Sequence, residues 1–125
     1  MKSLTIRLVI PSEDQNGLNA RLAAHFGRAP YFTVVELDSK GAVLNVKSVL
    51  NTSEHMGGSG LPPDHILALK PNVVIVSGMG GKAIDIFEGA GVPVLQATSG
   101  IVNDIVVAYN ENKLPKLTEG CGHAH

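Results

Sequence analysis

The sequence predicts an α/β fold built on a mixed five-stranded sheet. A strand followed by a hairpin pattern fills the first part of the chain, and this arrangement is antiparallel. From residue 73 onward, short apolar runs alternate with segments of helical period. The run Val73–Val76 is apolar throughout, which is typical of a parallel strand covered on both faces. The two patterns together predict one layered structure of mixed strand direction.

Three strands are predicted in the first half. Apolar and polar residues alternate over Leu4–Ile10, and Pro11 is expected to end this strand. Tyr31–Leu37 and Ala42–Val49 flank a turn-forming tetrad that ends in glycine, which predicts an antiparallel hairpin. Residues 15–30 have apolar side chains at helical spacing but are framed by glycine and proline, so they predict a loop with about one helical turn.

The second half alternates helices and strands. In order, they are predicted at Leu61–Leu69, Val73–Val76, Lys82–Glu88, Val92–Leu95 and a final helix that ends near residues 110–113. Pro93 cannot donate to a ladder and therefore indicates an edge strand or a strand start. Ser99 is expected to cap the last helix. These elements predict one α/β domain over residues 1–113 and a flexible tail over residues 114–125.

The composition excludes several classes of protein. The chain has 125 residues, of which 44% are apolar and 17% charged, and its net charge is -1. Such a balance offers no basic surface for nucleic acid or an anionic membrane, so neither partner is expected. No apolar run approaches the roughly 18 residues that span a bilayer, and Met1–Ser3 leads directly into a strand pattern, which predicts a cytoplasmic protein.

Cysteine content limits the metal chemistry. Cys121 is the only cysteine, so the chain alone can form neither a disulfide nor a site of four thiolates. A metal cluster would therefore need histidine, a carboxylate, a second chain or exogenous ligands. No paired carboxylates or Ser-His-Asp order are evident, and we expect a non-enzymatic protein.

A glycine-rich turn follows the fourth predicted strand. Gly78, Gly80 and Gly81 precede a helix, where free amide groups and the positive helix end are able to hold an anion. The next strand ends in 96–98 without the acidic residue of a dinucleotide site, and Ala83 stands where a Walker A motif requires Ser or Thr. The turn is thus either a plain connection or the site of a small-anion or nucleotide-binding regulatory module.

Two further loops contain histidine and glycine. His25, Gly27 and Arg28 combine an imidazole, a permissive backbone and a fixed cation; the alternative is that Arg28 only satisfies local carbonyl groups or a surface acid. His55 lies in a second loop, beside Gly57 and Gly58, where the backbone is able to approach a ligand closely. A linker between hairpin and helix explains this second loop almost as well.

The C-terminus offers another set of metal ligands. Cys121, His123 and His125 alternate with other residues, a spacing that lets an extended tail wrap around a transition metal. Three ligands on a frayed terminus bind weakly unless a partner orders them, so a solvated end is the alternative.

Four segments taken together resemble a known family. They are the first strand ending at Pro11, the block His25–Phe32, the segment Asn51–Gly58, and Val73–Gly81. Nearly the whole chain resembles the dinitrogenase iron-molybdenum cofactor biosynthesis family, the small domain of NifX and NafY type that is also fused to NifB. His25, Gly27 and Arg28 match its first block. His55, Gly57 and Gly58 match its second, with Met56 interrupting the usual His-Gly-Gly.

The resemblance implies a three-layer α/β/α fold of the ribonuclease H-like type without nuclease chemistry. It also implies that the chain binds or carries an iron-sulfur or iron-molybdenum type cluster during metallocofactor assembly, as in nitrogen fixation. Proteins that donate and accept the cluster would be its partners, and a homodimer is a further possibility. Sulfide-bearing clusters would be stabilised by the Arg28 cation, glycine-loop amides and an imidazole ligand.

Overall fold

Five strands form one mixed sheet in the order β3-β2-β1-β4-β5 in the computed structural model. The strands are β1 Ile6–Ser12, β2 Tyr31–Leu37, β3 Val43–Leu50, β4 Val73–Val76 and β5 Val94–Gln96, and the helices are α1 Pro62–Leu67, α2 Gly81–Gly89 and α3 Val102–Asn110. Residues 17–19 and 26–28 each form a single 3-10 turn. The structure describes residues 5–52, 62–98 and 100–117.

Strand direction changes at β1. It pairs antiparallel with β2, which pairs antiparallel with β3, whereas β1 with β4 and β4 with β5 are parallel. The predicted α/β fold with a mixed five-stranded sheet is therefore confirmed. Because β1, β4 and β5 run the same way, Ser12, Val76 and Gln96 finish at one end of the sheet, here called the carboxyl end. The start of β2 and the end of β3 also lie there, since Tyr31 pairs with both Ser12 and Leu50.

Alternation along the strands produces two apolar cores. Leu8 and Ile10 of β1 pack on one face of the sheet with α3, whose Val102, Ile105 and Val106 are buried. Val9 faces the other side, where the core includes Ile66 of α1 and Phe87 of α2. Helices thus cover both faces, and the three-layer arrangement is confirmed.

Several boundaries differ from the prediction. β1 continues through Pro11 and Ser12 instead of ending at Ile10. Proline is tolerated at position 11 because β1 pairs with β4 only at Leu8 and Val9. Pro11 lies beyond this stretch, so its lack of an N–H group leaves no hydrogen bond to β4 unmade. The loop before β2 contains two 3-10 turns, not one helical turn. The final helix begins at Val102 with Ile101 as its N-cap, later than a cap at Ser99 would give; residue 99 lies outside the described residues.

Ordered structure also extends beyond residue 113. Residues 115–117, here called the C-terminal strap, lie antiparallel beside β5. The amide of Gln96 donates to Pro115 O at 2.8 Å, and the amide of Leu117 donates to Val94 O at 2.7 Å. The flexible tail expected from Leu114 is therefore fixed to the sheet at its beginning, while residues 118–125 lie outside the described residues. Pro93 directly precedes β5, which is an outer strand of the five. This agrees with the prediction of an edge strand or a strand start at Pro93.

None of the helices in the described ranges is long and apolar enough to cross a membrane.

Candidate functional site

A crevice lies between β1 and β4 at the carboxyl end of the sheet. The chain leaves β1 towards β2 on one side and leaves β4 through α2 towards β5 on the other. Ligands of open α/β sheets bind where neighbouring connections diverge in this way. A cavity of about 640 Å³ opens at this point, and its lining combines two segments: Ala24, His25, Phe26, Gly27 and Arg28, and Ser77, Gly78, Met79 and Gly80.

The first wall of the cavity is the turn around His25. Residues 26–28 form one 3-10 turn, in which the Arg28 amide donates to His25 O at 3.1 Å. Phe26 packs against the apolar core on one side of this turn, and Ala29 is buried beyond it. Two apolar anchors therefore hold a short exposed turn whose polar side chains border the cavity.

Arg28 and His25 are exposed to solvent. Within the described ranges, neither side chain forms an ion pair or a hydrogen bond. Arg7 differs, because its guanidinium contacts Glu36 Oε2 at 2.6 Å and donates to Leu69 O at 2.7 Å. The structural role that the sequence allowed for Arg28 belongs to Arg7, and the described part of the chain leaves the Arg28 cation available.

The second wall is the glycine turn that leads into α2. Gly80 is the N-cap residue with extended backbone, and no side chain caps the helix. The helical bonds begin with Ile84 N donating to Gly80 O at 3.1 Å, so the amides of residues 81–83 lack helical partners. The first turn of α2 contains no acidic residue, and none of the described residues lining the cavity is acidic. This wall therefore attracts anions.

Gly78 is not required by the backbone. It lacks a positive φ, and a Cβ placed there would meet no described atom within 4 Å. A plain strand-to-helix turn with these properties would accept alanine. The open space in front of Gly78 consequently favours close approach of a ligand over a purely structural turn.

Met79 and Phe26 complete the cavity with half-buried apolar surface. Both side chains also pack against the core that contains Phe87. Sequence reasoning missed Met79, although its position between two glycines was a signal that its side chain lies at an open turn. Its thioether gives the lining a soft sulfur atom.

The remaining predicted ligands lie outside the described residues. They are His55, Gly57 and Gly58 of the second loop and Cys121, His123 and His125 of the tail. Thr52, the last described residue before the second loop, contacts His65 of α1 through Oγ1 and Nδ1 at 3.2 Å. Among the described residues there is no group of three or more His, Cys, Asp or Glu side chains that could hold a metal ion.

Comparison with known proteins agrees with the fold. Residues 6–112 match a family model described as dinitrogenase iron-molybdenum cofactor. An uncharacterized protein of Methanocaldococcus jannaschii is 32% identical over 101 residues, which are 79% of this chain and 85% of that protein.

Two solved structures are also similar. The crystal structure of PH0822 has a TM-score of 0.75 and 30% identity, with 90% of this chain and 96% of the other covered. A Thermotoga protein, named as a candidate NifB protein and solved by NMR, has a TM-score of 0.72 and 29% identity, with 90% of this chain and 94% of the other covered.

Proposed function

Because the chain belongs to the dinitrogenase iron-molybdenum cofactor family, we propose that it acts in cofactor assembly as a non-enzymatic carrier of a metal-sulfur cluster. The family match supports a role in iron-molybdenum cofactor biosynthesis, and binding in the cavity between β1 and β4 is the step we add. The observation that carries this step is the meeting of the His25 turn and the glycine turn in one cavity.

The cavity suits a cluster whose surface sulfides are anionic. Arg28 supplies a fixed positive charge, and the free amides of residues 81–83 supply hydrogen-bond donors at the positive end of α2. His25 supplies an imidazole nitrogen, a common metal ligand in proteins. Such a site needs few protein thiolates, which fits a chain with one cysteine.

The second loop is part of the proposal. The segments before and after this loop both contact the region of the first wall. Before it, Asn51 N donates to Pro30 O at 2.9 Å, and after it, α1 packs beside the turn of residues 26–28. We propose that His55 adds a second imidazole, with amide donors from Gly57 and Gly58. The donor and acceptor of the cluster would be other proteins of cofactor assembly.

Anaerobic titration with tetrathiomolybdate, a small anion of molybdenum and sulfide, tests the proposal. We expect binding to change the sulfide-to-metal absorption bands, and Arg28→Gln and His25→Ala to weaken it at least tenfold. Arg21→Gln is the matched control, because Arg21 is an exposed arginine of the same loop that does not line this cavity. Wild-type affinity in both cavity variants would refute the site.

A regulatory module for small anions or nucleotides is the second candidate. The uncapped start of α2 favours it, since these amides would hold a phosphate group equally well. It predicts that phosphate-containing ligands raise the melting temperature by binding the folded state. Stabilisation by a nucleotide, with no binding of tetrathiomolybdate, would decide for this alternative.

The tail is proposed as an auxiliary metal site formed by Cys121, His123 and His125. Truncation after Glu119 is expected to weaken uptake of zinc, nickel or ferrous ion at neutral pH. The difference should shrink near pH 5, because protonation of histidine competes with the metal. Equal stoichiometry and affinity in the full and truncated chains would exclude this site.

A further inference from the structure

Asn51 is a buried polar residue just after β3, and it does not line the cavity. Only 3% of its surface is exposed. Its side-chain amide donates to Ala29 O at 2.7 Å and to Gly27 O at 3.4 Å. One amide group therefore contacts two carbonyls of the turn that holds His25 and Arg28.

Besides its apolar anchors Phe26 and Ala29, the turn has few backbone hydrogen bonds of its own among the described residues. Its own bonds are those of Arg28 N to His25 O at 3.1 Å and Ala29 N to Phe26 O at 3.4 Å. A single 3-10 turn is weak by itself, because its hydrogen-bond geometry is poor and few bonds share the entropic cost. The contacts from Asn51 hold the turn from the side that faces the protein interior.

We propose that Asn51 is the positioning residue of the site: it holds the His25–Arg28 turn at the wall of the cavity without touching the cargo. This inference rests on the proposed function and adds to it a residue that neither the composition nor the glycine pattern indicates. A side-chain amide suits this buried place, because its NH2 group carries two N–H donors for the two carbonyl oxygens.

The test is Asn51→Asp, which keeps the size of the side chain and replaces the donor with a carboxylate facing two carbonyl oxygens. We expect tetrathiomolybdate to bind about tenfold more weakly, and the NMR resonances of the Arg28 amide and the His25 ring to shift, because loss of a buried hydrogen bond is sufficient for such a change. Asn110→Asp is the matched control. It removes a side-chain amide hydrogen bond to a backbone carbonyl, Asn110 Nδ2 to Gly41 O at 2.9 Å, at an exposed position far from the carboxyl end of the sheet.

A purely structural role for Asn51 predicts a lower melting temperature with unchanged affinity and unchanged His25 resonances, and this result would overturn the inference. If Asn51→Asp does not fold, the wild-type protein decides. Addition of tetrathiomolybdate should shift the side-chain amide resonance of Asn51 together with that of His25, and a shift of His25 alone would count against the inference. Failure of the proposed function looks different, because the wild type then binds no tetrathiomolybdate while Asn51→Asp still displaces the His25 and Arg28 resonances.

Discussion

A substitution at Gly78 is expected to affect ligand binding without affecting the stability of the fold. Its backbone accepts a side chain, and no described atom lies where a Cβ would stand. Gly78→Ala should therefore leave the free energy of unfolding unchanged or raise it by about 0.5 kcal/mol, because alanine restricts the unfolded chain. The added methyl group borders the cavity, and we expect it to weaken tetrathiomolybdate binding about tenfold, a change of roughly 1.4 kcal/mol.

Urea unfolding and anaerobic titration of the same preparation measure both effects. Gly89→Ala serves as a control, since a Cβ at this last residue of α2 also meets no described atom within 4 Å but lies far from the cavity lining. A large loss of stability in Gly78→Ala would show that the glycine serves the fold after all.

Glu36 gives a second prediction at the residue scale. A hydrogen bond from Arg7 and, secondarily, the attraction of its charge lower the pKa of Glu36 from its usual value of 4.5. A lowered pKa in the folded state stabilises the protein above the pKa of the unfolded state, and this contribution is lost as pH falls through the folded value. Glu36→Gln should thus be less stable than the wild type at pH 7, with a smaller difference at pH 3.

Urea midpoints at the two pH values measure the difference. Glu88→Gln, at an exposed position of α2, is the control and is expected to follow the wild type at both. Parallel pH profiles of wild type and Glu36→Gln would contradict the assignment.

At the scale of elements, the turn between β2 and β3 depends on one glycine. Gly41 has a φ of +88°, and a Cβ there would lie 2.6 Å from Asn110 Oδ1. Gly91, after α2, has a φ of +76° but no described atom within 4 Å of a Cβ. Gly91→Ala should cost about 1 kcal/mol from the backbone alone. Gly41→Ala should cost more, about 2 kcal/mol, because Asn110 must also move and lose its bond to Gly41 O.

Thermal and urea unfolding of the two variants provide the comparison. Equal losses would mean that the side chain of Asn110 yields at no cost, and that only the backbone conformation matters.

Most elements could be predicted because their pattern is local. β2 and β4 occupy the predicted residues, since runs of β-branched or apolar residues are bounded by turn residues on both sides. The errors arise where a distant segment decides. Pro11 remains in β1 because β2 continues beside it, and the strap beyond Leu114 is held by the open side of β5. No periodicity in the sequence contains this information.

The site was predictable only in part for the same reason. The chemistry of His25, Gly27, Arg28 and the glycine turn could be read locally, whereas their meeting depends on the placement of β1 beside β4. Met79 and Asn51 were missed because their roles are set by burial and by contacts across more than 20 residues of chain, such as that of Asn51 with Ala29. Assignment of His55 and the tail remains a prediction.

At the scale of the whole molecule, the C-terminal strap closes one side of the sheet. Truncation after Leu114 removes two backbone hydrogen bonds to β5 and the contact of Leu117 with the core. We expect the free energy of unfolding to fall by about 1–3 kcal/mol. Truncation after Leu117 is the matched control and should leave it unchanged.

Unfolding in urea measures the loss, and size-exclusion chromatography adds a second readout. The chain that ends at Leu114 exposes the unpaired backbone groups of β5 and should favour association of chains. The chain that ends at Leu117 keeps these groups paired and should not associate. Identical behaviour of the two would show that the strap adds nothing to the fold.

The chain diverges at β1 and β4, and under the proposed function the crevice at this point receives the cargo. The crevice follows from strand order alone, so any sequence with this topology has an opening at the same place, whatever ligand it binds. Under the proposed function, the side chains on the turns that border the crevice would then set which cargo a family member prefers. Exchanging residues 24–28 and 77–80 between relatives should therefore exchange their selectivity for cargo. The sheet and its two cores should remain unchanged, because neither exchanged segment belongs to a strand.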